Sequence, residues 1–171
     1  MGLPVFPVEG GCQCGAVRYR LADRPMFTNC CHCTWCQRET GSAFALNAII
    51  ETDRLTVDGA VERVMLPSAS GKGQEVVRCQ TCKVALYSHY AGAGRLAAFV
   101  RVGTMDRPAD CPPEVHIYTA TKLPWLELGD RVPAFEGYYS LKELWPAAAQ
   151  QRREAMKARA ALVADRSAPL A

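Results

Sequence analysis

Hydrophobic and polar positions alternate with a period of two over most of the chain. Behind the glycine-rich turn Glu9–Gly15, Val17, Tyr19 and Leu21 alternate with Arg18 and Arg20, which predicts a hairpin whose second strand buries one face. Ala43 to Ile50 is an apolar run of strand length, and Leu55, Val57, Val61, Val64 and Leu66 continue in short alternating pieces broken at Asp58-Gly59. After the polar loop Pro67–Gly73, Val76 and Val77 lead into Cys79-Gln-Thr-Cys82 and Val84 to Tyr87 lead out, a CxxC turn between two strands. Leu96–Val102 and Val115–Ala120 read as two more strands, with a glycine-containing loop over His89–Arg95 and an irregular stretch over Asp106–Pro113. Residues 1–139 therefore read as mainly β.

The character changes near Ser140. Leu141, Leu144, Trp145, Ala148, Ala155, Met156, Leu162 and Val163 recur at roughly helical spacing, so residues 140–171 are expected to form a C-terminal helical extension. Ser140 and Glu143 stand as a capping box, and Pro146 must kink the helix or start a new one. Such a helix packs on the β body or on a second copy of the chain, and so could support a homo-oligomer.

The 171 residues suffice to bury a core without staples, so a metal here would fix a site, not rescue an unstable miniature. A net charge of +3 gives no argument for nucleic acid, and no apolar run approaches the roughly 18 residues of a membrane span. Residues 1–10 lack the pattern of a signal peptide, and Phe6 stands where a myristoylation motif at Gly2 needs Ser or Thr. A cytoplasmic location is the expectation.

Nine cysteines change the picture. Cytosolic thiols are held reduced and the count is odd, which favours metal binding over a disulfide framework. Four of them, Cys30, Cys31, Cys33 and Cys36, fall within seven residues. In extended backbone Cys31 and Cys33 project to one face, and a tight turn through Thr34 and Trp35 would return Cys36 beside them. Cys12 and Cys14 share a face in the same way. Setting Cys30 and Cys111 aside, the remaining seven fit one closed four-cysteine zinc site and one three-cysteine site with a vacancy. Spacing leaves the division open: two CxxC turns, Cys33–Cys36 and Cys79–Cys82, make the commonest four-cysteine knuckle.

The pieces Gly11-Cys-Gln-Cys-Gly15, Cys31-His-Cys-Thr-Trp-Cys-Gln37, Cys79-Gln-Thr-Cys82, Val102-Gly-Thr-Met-Asp106 and His116, followed by Pro124-Trp125, resemble the glutathione-dependent formaldehyde-activating enzyme family. That family shares a domain with centromere protein V and has the Mss-four-like fold of coiled antiparallel sheets. The resemblance covers roughly residues 8–137. It implies that Cys12, Cys14, Cys79 and Cys82 hold a structural zinc, and that Cys31, Cys33 and Cys36 hold a second, open zinc that can stand part-occupied. It also implies a carbon–sulfur lyase that joins glutathione and formaldehyde. Lys83 departs from the glycine common in the family at that position, and the segment after Ser140 extends past the shared domain.

An open zinc with three thiolates is a poor Lewis acid for activating water, but a substrate thiol suits its fourth position. The bound thiolate could add to the carbonyl of a small aldehyde, or the adduct could be cleaved. Because thiols add to formaldehyde readily without help, alternatives stay open: another thiol or carbonyl substrate, a non-catalytic glutathione carrier, or a zinc-stabilised binding module. Arg38 could meet a substrate carboxylate, and Gly41 and Ser42 could offer backbone N–H groups, although a plain turn explains them as well. Cys30 reads as a buried small hydrophobe and Cys111 as a loop thiol. His32 serves behind the ligands or merely packs, His116 reads as a core histidine, and His89 reads as a surface one; either of the last two could carry a proton.

Overall fold

The computed structural model describes residues 6–68 and 70–166; expectations placed on residues 1–5, including Gly2, lie outside the described residues. Ten strands form, β1 (Val8–Gly11), β2 (Arg18–Leu21), β3 (Phe27–Cys31), β4 (Ala45–Glu51), β5 (Leu55–Asp58), β6 (Val61–Leu66), β7 (Gln74–Cys79), β8 (Ala85–Tyr90), β9 (Ala97–Arg101) and β10 (Val115–Ile117). The helices are α1 (Thr34–Thr40), α2 (Leu141–Leu144) and α3 (Ala147–Arg166). A three-stranded sheet has the order β1-β2-β5 and a seven-stranded sheet the order β10-β3-β4-β9-β8-β7-β6, antiparallel except where β10 runs parallel to β3. The chain is mainly β with a C-terminal helix. Among the described residues no helix is long and apolar enough to cross a membrane.

The large sheet is covered on both faces. Ala48, Ile50, Val77, Leu86 and Val100 pack with Val8, Tyr19 and Leu21 of the small sheet. Ile49, Ala45 and Phe27, from the opposite face, pack with Tyr139, Trp145, Ala149 and Met156 of the C-terminal segment. Burial on both sides is why β4 reads as an apolar run interrupted only by Asn47 before its terminal Glu51, whereas β2, with Arg18 and Arg20 exposed, alternates.

Two local expectations are corrected, and the choice left open at Pro146 is resolved. The turn expected through Thr34 and Trp35 is the first turn of α1, with Cys33 as its N-cap and Gly41 (φ 62°) closing its other end. The Ser140 side chain caps nothing, and only backbone bonds hold the start of α2. Pro146 starts a new helix instead of kinking one, and that helix packs on this chain's own sheet.

The C-terminal segment is also tied to the sheet by polar contacts. Glu51, 1% exposed at the end of β4, receives Arg152 Nε at 2.9 Å and its Nη2 at 2.5 Å. Trp145 Nε1 donates to the Tyr139 hydroxyl (2.8 Å), which donates to Asn29 Oδ1 (3.0 Å) on β3. Burial pushes the Glu51 carboxyl up, but hydrogen bonds from Arg152 and its own backbone, with Arg54 nearby, outweigh burial and hold it below its ordinary range. The pair's contribution is therefore present above the unfolded carboxylate pKa and is lost as pH falls through the folded one. Arg152→Ala should cost about 2–4 kcal/mol in urea unfolding at pH 7, because it removes both direct hydrogen bonds to a buried carboxylate and leaves it only Arg54 at 3.5 Å. That difference should shrink below about pH 4 as the carboxyl protonates.

The CxxC turn has a strained position. Lys83 follows it at φ 63°, in the left-handed region, with its N–H bonded to the Cys79 carbonyl at 3.0 Å. Glycine suffers no Cβ penalty there. Lys83→Gly should raise unfolding stability by about 0.5–1 kcal/mol, since the exposed Lys83–Glu62 pair that it removes contributes little. Equal or lower stability would show that the turn is not strained.

Candidate thiol centres and the pocket beside them

All nine cysteines are free thiols. The thiols of Cys12, Cys14, Cys79 and Cys82 lie within 4.8 Å of one another, as do those of Cys31, Cys33 and Cys36. The two CxxC turns do not combine: Cys79 and Cys82 join the N-terminal pair, on the core side facing the small sheet. Cys31, Cys33 and Cys36 belong to the other core. Cys30 and Cys31 are successive strand residues, so they point to opposite faces of β3, and only Cys31 joins the triad.

In the group of four, Cys12 and Cys14 Sγ are 3.4 Å apart and Cys14 and Cys79 Sγ 3.8 Å. A tetrahedral zinc with 2.3 Å bonds to sulfur spaces its ligands by about 3.8 Å, so these four sulfurs could hold such an ion with little movement. The backbone favours ionised sulfur here: Val17 N–H reaches Cys12 Sγ at 3.2 Å, and Cys82 N–H reaches Cys79 Sγ at 3.5 Å. Hydrogen bonds from the backbone N–H groups of Val84 and Cys14 bring the Cys82 thiol down to about 6.

The triad is assembled by one strand end and one helix start. Cys31 ends β3, Cys33 caps α1, and Cys36, one turn into α1, sends its N–H to Cys33 Sγ at 3.4 Å. All three are 6–7% exposed. Hydrogen bonds from the Cys31 and Cys36 thiols lower Cys33, while the bond to Cys33 raises Cys31, so Cys33 is the first of the three to ionise. Position comes from polar anchors. Glu39 of α1 pairs with Arg78 (2.8 Å) and with buried Arg101 (2.9 Å), and Gln37 Nε2 donates to the carbonyls of His32 (2.7 Å) and Thr121 (2.8 Å).

A third group gathers on the far face of β3. His32, fully buried, places Nε2 2.9 Å from His116 Nδ1 and 3.6 Å from Cys30 Sγ. The spacing alone would admit an ion. However, His32 Nδ1 is buried without a partner, whereas a metal-bound imidazole normally donates its other N–H. A proton on His32 Nε2, shared toward His116, leaves no orphaned donor, so the group reads as a neutral histidine pair. Burial, with His116 and Lys122 nearby, keeps His32 down to about 4, and burial also lowers His116.

The other sequence candidates fall as follows. His89 is not on the surface: it is 4% exposed in β8 and bonds the Ala97 carbonyl at 2.9 Å. Cys111 lies in a loop as expected, but it is 4% exposed and packs in the core. Arg38 is exposed on α1 and does not line the pocket described below. The N–H groups of Gly41 and Ser42 are engaged by the Gln37 carbonyl, as a helix cap requires.

Cys31 opens onto a cavity of about 400 Å³. Its walls include Asn29 and Asn47, directly opposite one another on β3 and β4, together with Ile49, Phe99 and Tyr118. The amide oxygens of Asn29 and Asn47 accept bonds from Tyr139 and Arg101, which leaves their NH2 groups as the donors they can offer. Both asparagines were missed as site residues from sequence. Their signal was a polar amide inside an apolar strand, which burial must explain.

This ordered set of thiols and flanking strands matches known proteins. The profile of the family described as "Glutathione-dependent formaldehyde-activating enzyme" matches residues 7–121. A protein of Halomonas elongata, provisionally named a glutathione-dependent formaldehyde-activating enzyme, is 30% identical over 141 residues, covering 77% of this chain and 88% of its own. A crystal structure of a Rhodobacter sphaeroides protein superposes with a TM-score of 0.42 at 18% identity, over 74% of this chain and 99% of its own. The chain belongs to the glutathione-dependent formaldehyde-activating enzyme family.

Proposed function

We propose that the protein is a zinc-dependent carbon–sulfur lyase that makes and cleaves a thiol–aldehyde adduct, in the manner of an S-(hydroxymethyl)glutathione synthase. The observation that carries this reading is the placement of three mutually close, buried thiols with one of them, Cys31, in the wall of a cavity. Cys12, Cys14, Cys79 and Cys82 would hold a structural zinc and complete its four positions. Cys31, Cys33 and Cys36 would hold a second zinc and leave it one position short. When bound there, zinc supplies a soft site at which a substrate thiol loses its proton near neutral pH.

The reaction balances simply. The thiol sulfur bonds to the carbonyl carbon, the carbonyl π pair moves to oxygen, and the proton lost by the thiol ends on that oxygen. Cleavage is the reverse. The chain's own groups do the positioning: the NH2 groups of Asn29 and Asn47 are donors for an oxygen that gains negative charge, and the apolar walls hold the reacting carbon beside Cys31. Membership of the family supports glutathione and formaldehyde as one thiol and aldehyde pair.

Elemental analysis of protein purified anaerobically without chelator should find about two zincs per chain. One zinc, with Cys31, Cys33 and Cys36 open to alkylation, would remove the reacting centre from the proposal. NMR exchange spectroscopy of glutathione with labelled formaldehyde should show exchange at least about tenfold faster than without protein. Cys36→Ser should abolish that acceleration and leave a folded chain with one zinc. Cys79→Ser should cost the fold itself, because the structural ion's binding energy is folding energy. If the two variants unfold alike, the division of roles between the centres is wrong.

A further inference from the structure

The cavity beside Cys31 is built from two sources. The sheet supplies Ile49, Phe99 and Ile117, and the segment beyond the family match at residue 121 supplies Tyr138, Leu141, Trp145 and Met156. The second set walls one side of the space with carbon, with Tyr138 standing at its open rim. Tyr138 stacks on Tyr139 with centroids 4.7 Å apart, and Trp145 stacks on Phe27 at 5.5 Å, so the aromatic wall is fixed by its own packing.

Size and lining together constrain the occupant. A water molecule takes about 30 Å³ of the liquid, and formaldehyde is scarcely larger, so a one-carbon aldehyde leaves most of 400 Å³ unfilled. Glutathione would fill it, but it brings an ammonium, two carboxylates and two peptide groups. Among the described residues no aspartate or glutamate lines the cavity to meet the ammonium. Each polar group buried there without a partner would cost about 1–3 kcal/mol. Two cations do line it, Lys72 from the loop before β7 and Arg153 from α3. Arg153 also meets exposed Glu154 at 2.9 Å, a solvated pair that holds it only weakly.

Resting on the lyase reading above, we infer that this pocket receives the body of the thiol–aldehyde adduct, and that this body is an aromatic or branched-aliphatic group ending in a carboxylate. The apolar walls take the body, Lys72 and Arg153 take the carboxylate, and the reacting carbon lies toward Cys31. The C-terminal segment is thus a specificity element. Either the aldehyde or the thiol can carry the body, since the adduct is the same class of molecule in both cases.

The test uses the purified, zinc-loaded protein and the unreactive probe 3-phenylpropanoate, with binding read by calorimetry and by tryptophan fluorescence. Trp145 is 6% exposed whereas Trp35 and Trp125 are 43% and 69% exposed, so iodide quenches the last two selectively and isolates the pocket's signal. The probe should bind and change the Trp145 emission. Ala93→Trp, on a half-buried loop position lining the cavity, should weaken binding by at least about tenfold. Lys72→Ala with Arg153→Ala should weaken the acid by about fivefold or more and leave 3-phenylpropanol unchanged. The charge-pair variant keeps the test valid if Ala93→Trp fails to fold.

No binding at 10 mM probe (a concentration on the order of the weakest useful affinity) would overturn the inference, as would binding indifferent to both variants. Failure here is separable from failure of the lyase reading. Protein that accelerates exchange yet ignores the probe overturns this inference alone, and protein that binds the probe yet accelerates nothing overturns the lyase reading alone. Pairing phenylacetaldehyde with 2-mercaptoethanol, and formaldehyde with 2-phenylethanethiol, then tells which partner carries the body: the favoured pair exchanges faster, and the blocking variant removes that preference. Equal, unblocked rates for both pairs count against the pocket as the reacting site.

Discussion

The constraint on which this molecule depends is that the central strands of its large sheet have no solvent face. A strand buried on both sides must send alternate residues into two different cores, and β4 does so with Ala48 and Ile50 on one side and Ala45 and Ile49 on the other. The same parity sorts the chemistry. Cys31 enters the core shared with the C-terminal helices, while Cys30 and His32 project the other way and meet His116. The four-thiol group lies on the small-sheet side and the three-thiol group on the helix side, so one sheet keeps two sulfur-rich centres apart without any loop to separate them. A one-residue slip of β3 against β4 would carry Cys31 out of the triad and break the opposition of Asn29 and Asn47.

What could be read from the sequence was whatever depended on short-range pattern. The hairpin of β1 and β2, the CxxC turn between β7 and β8, and the strands at β4 and β9 all announce themselves by alternation, apolar runs or turn residues. Helix α1 did not. Its seven residues are too few to display a helical period, and its capping residue is a cysteine, which no capping preference singles out. Burial of single polar groups was also illegible: His89 sits in a segment that reads as a loop, yet β8 extends through it to Tyr90 and folds its ring against the Ala97 carbonyl. Spacing could not divide seven cysteines into four and three, because Cys12 and Cys79 are brought together by sheet packing across 66 intervening residues. Resemblance to the family carried that step.

The C-terminal segment shows how an extension beyond the family match can still be decisive. Its contacts with the sheet include Arg152 on Glu51, Trp145 on Tyr139 and thence on Asn29, and Met156 and Ala149 in the shared core. Asn29 is at once the acceptor of that hydrogen-bond chain and a wall of the cavity beside Cys31. The residues that anchor the helices and the residues that shape the site are therefore partly the same residues. A change in the extension reaches the pocket directly, through Trp145 or Arg153, and also through the orientation of an amide on β3. The segment beyond the family match can therefore alter the space beside the three-thiol group without moving a single sulfur.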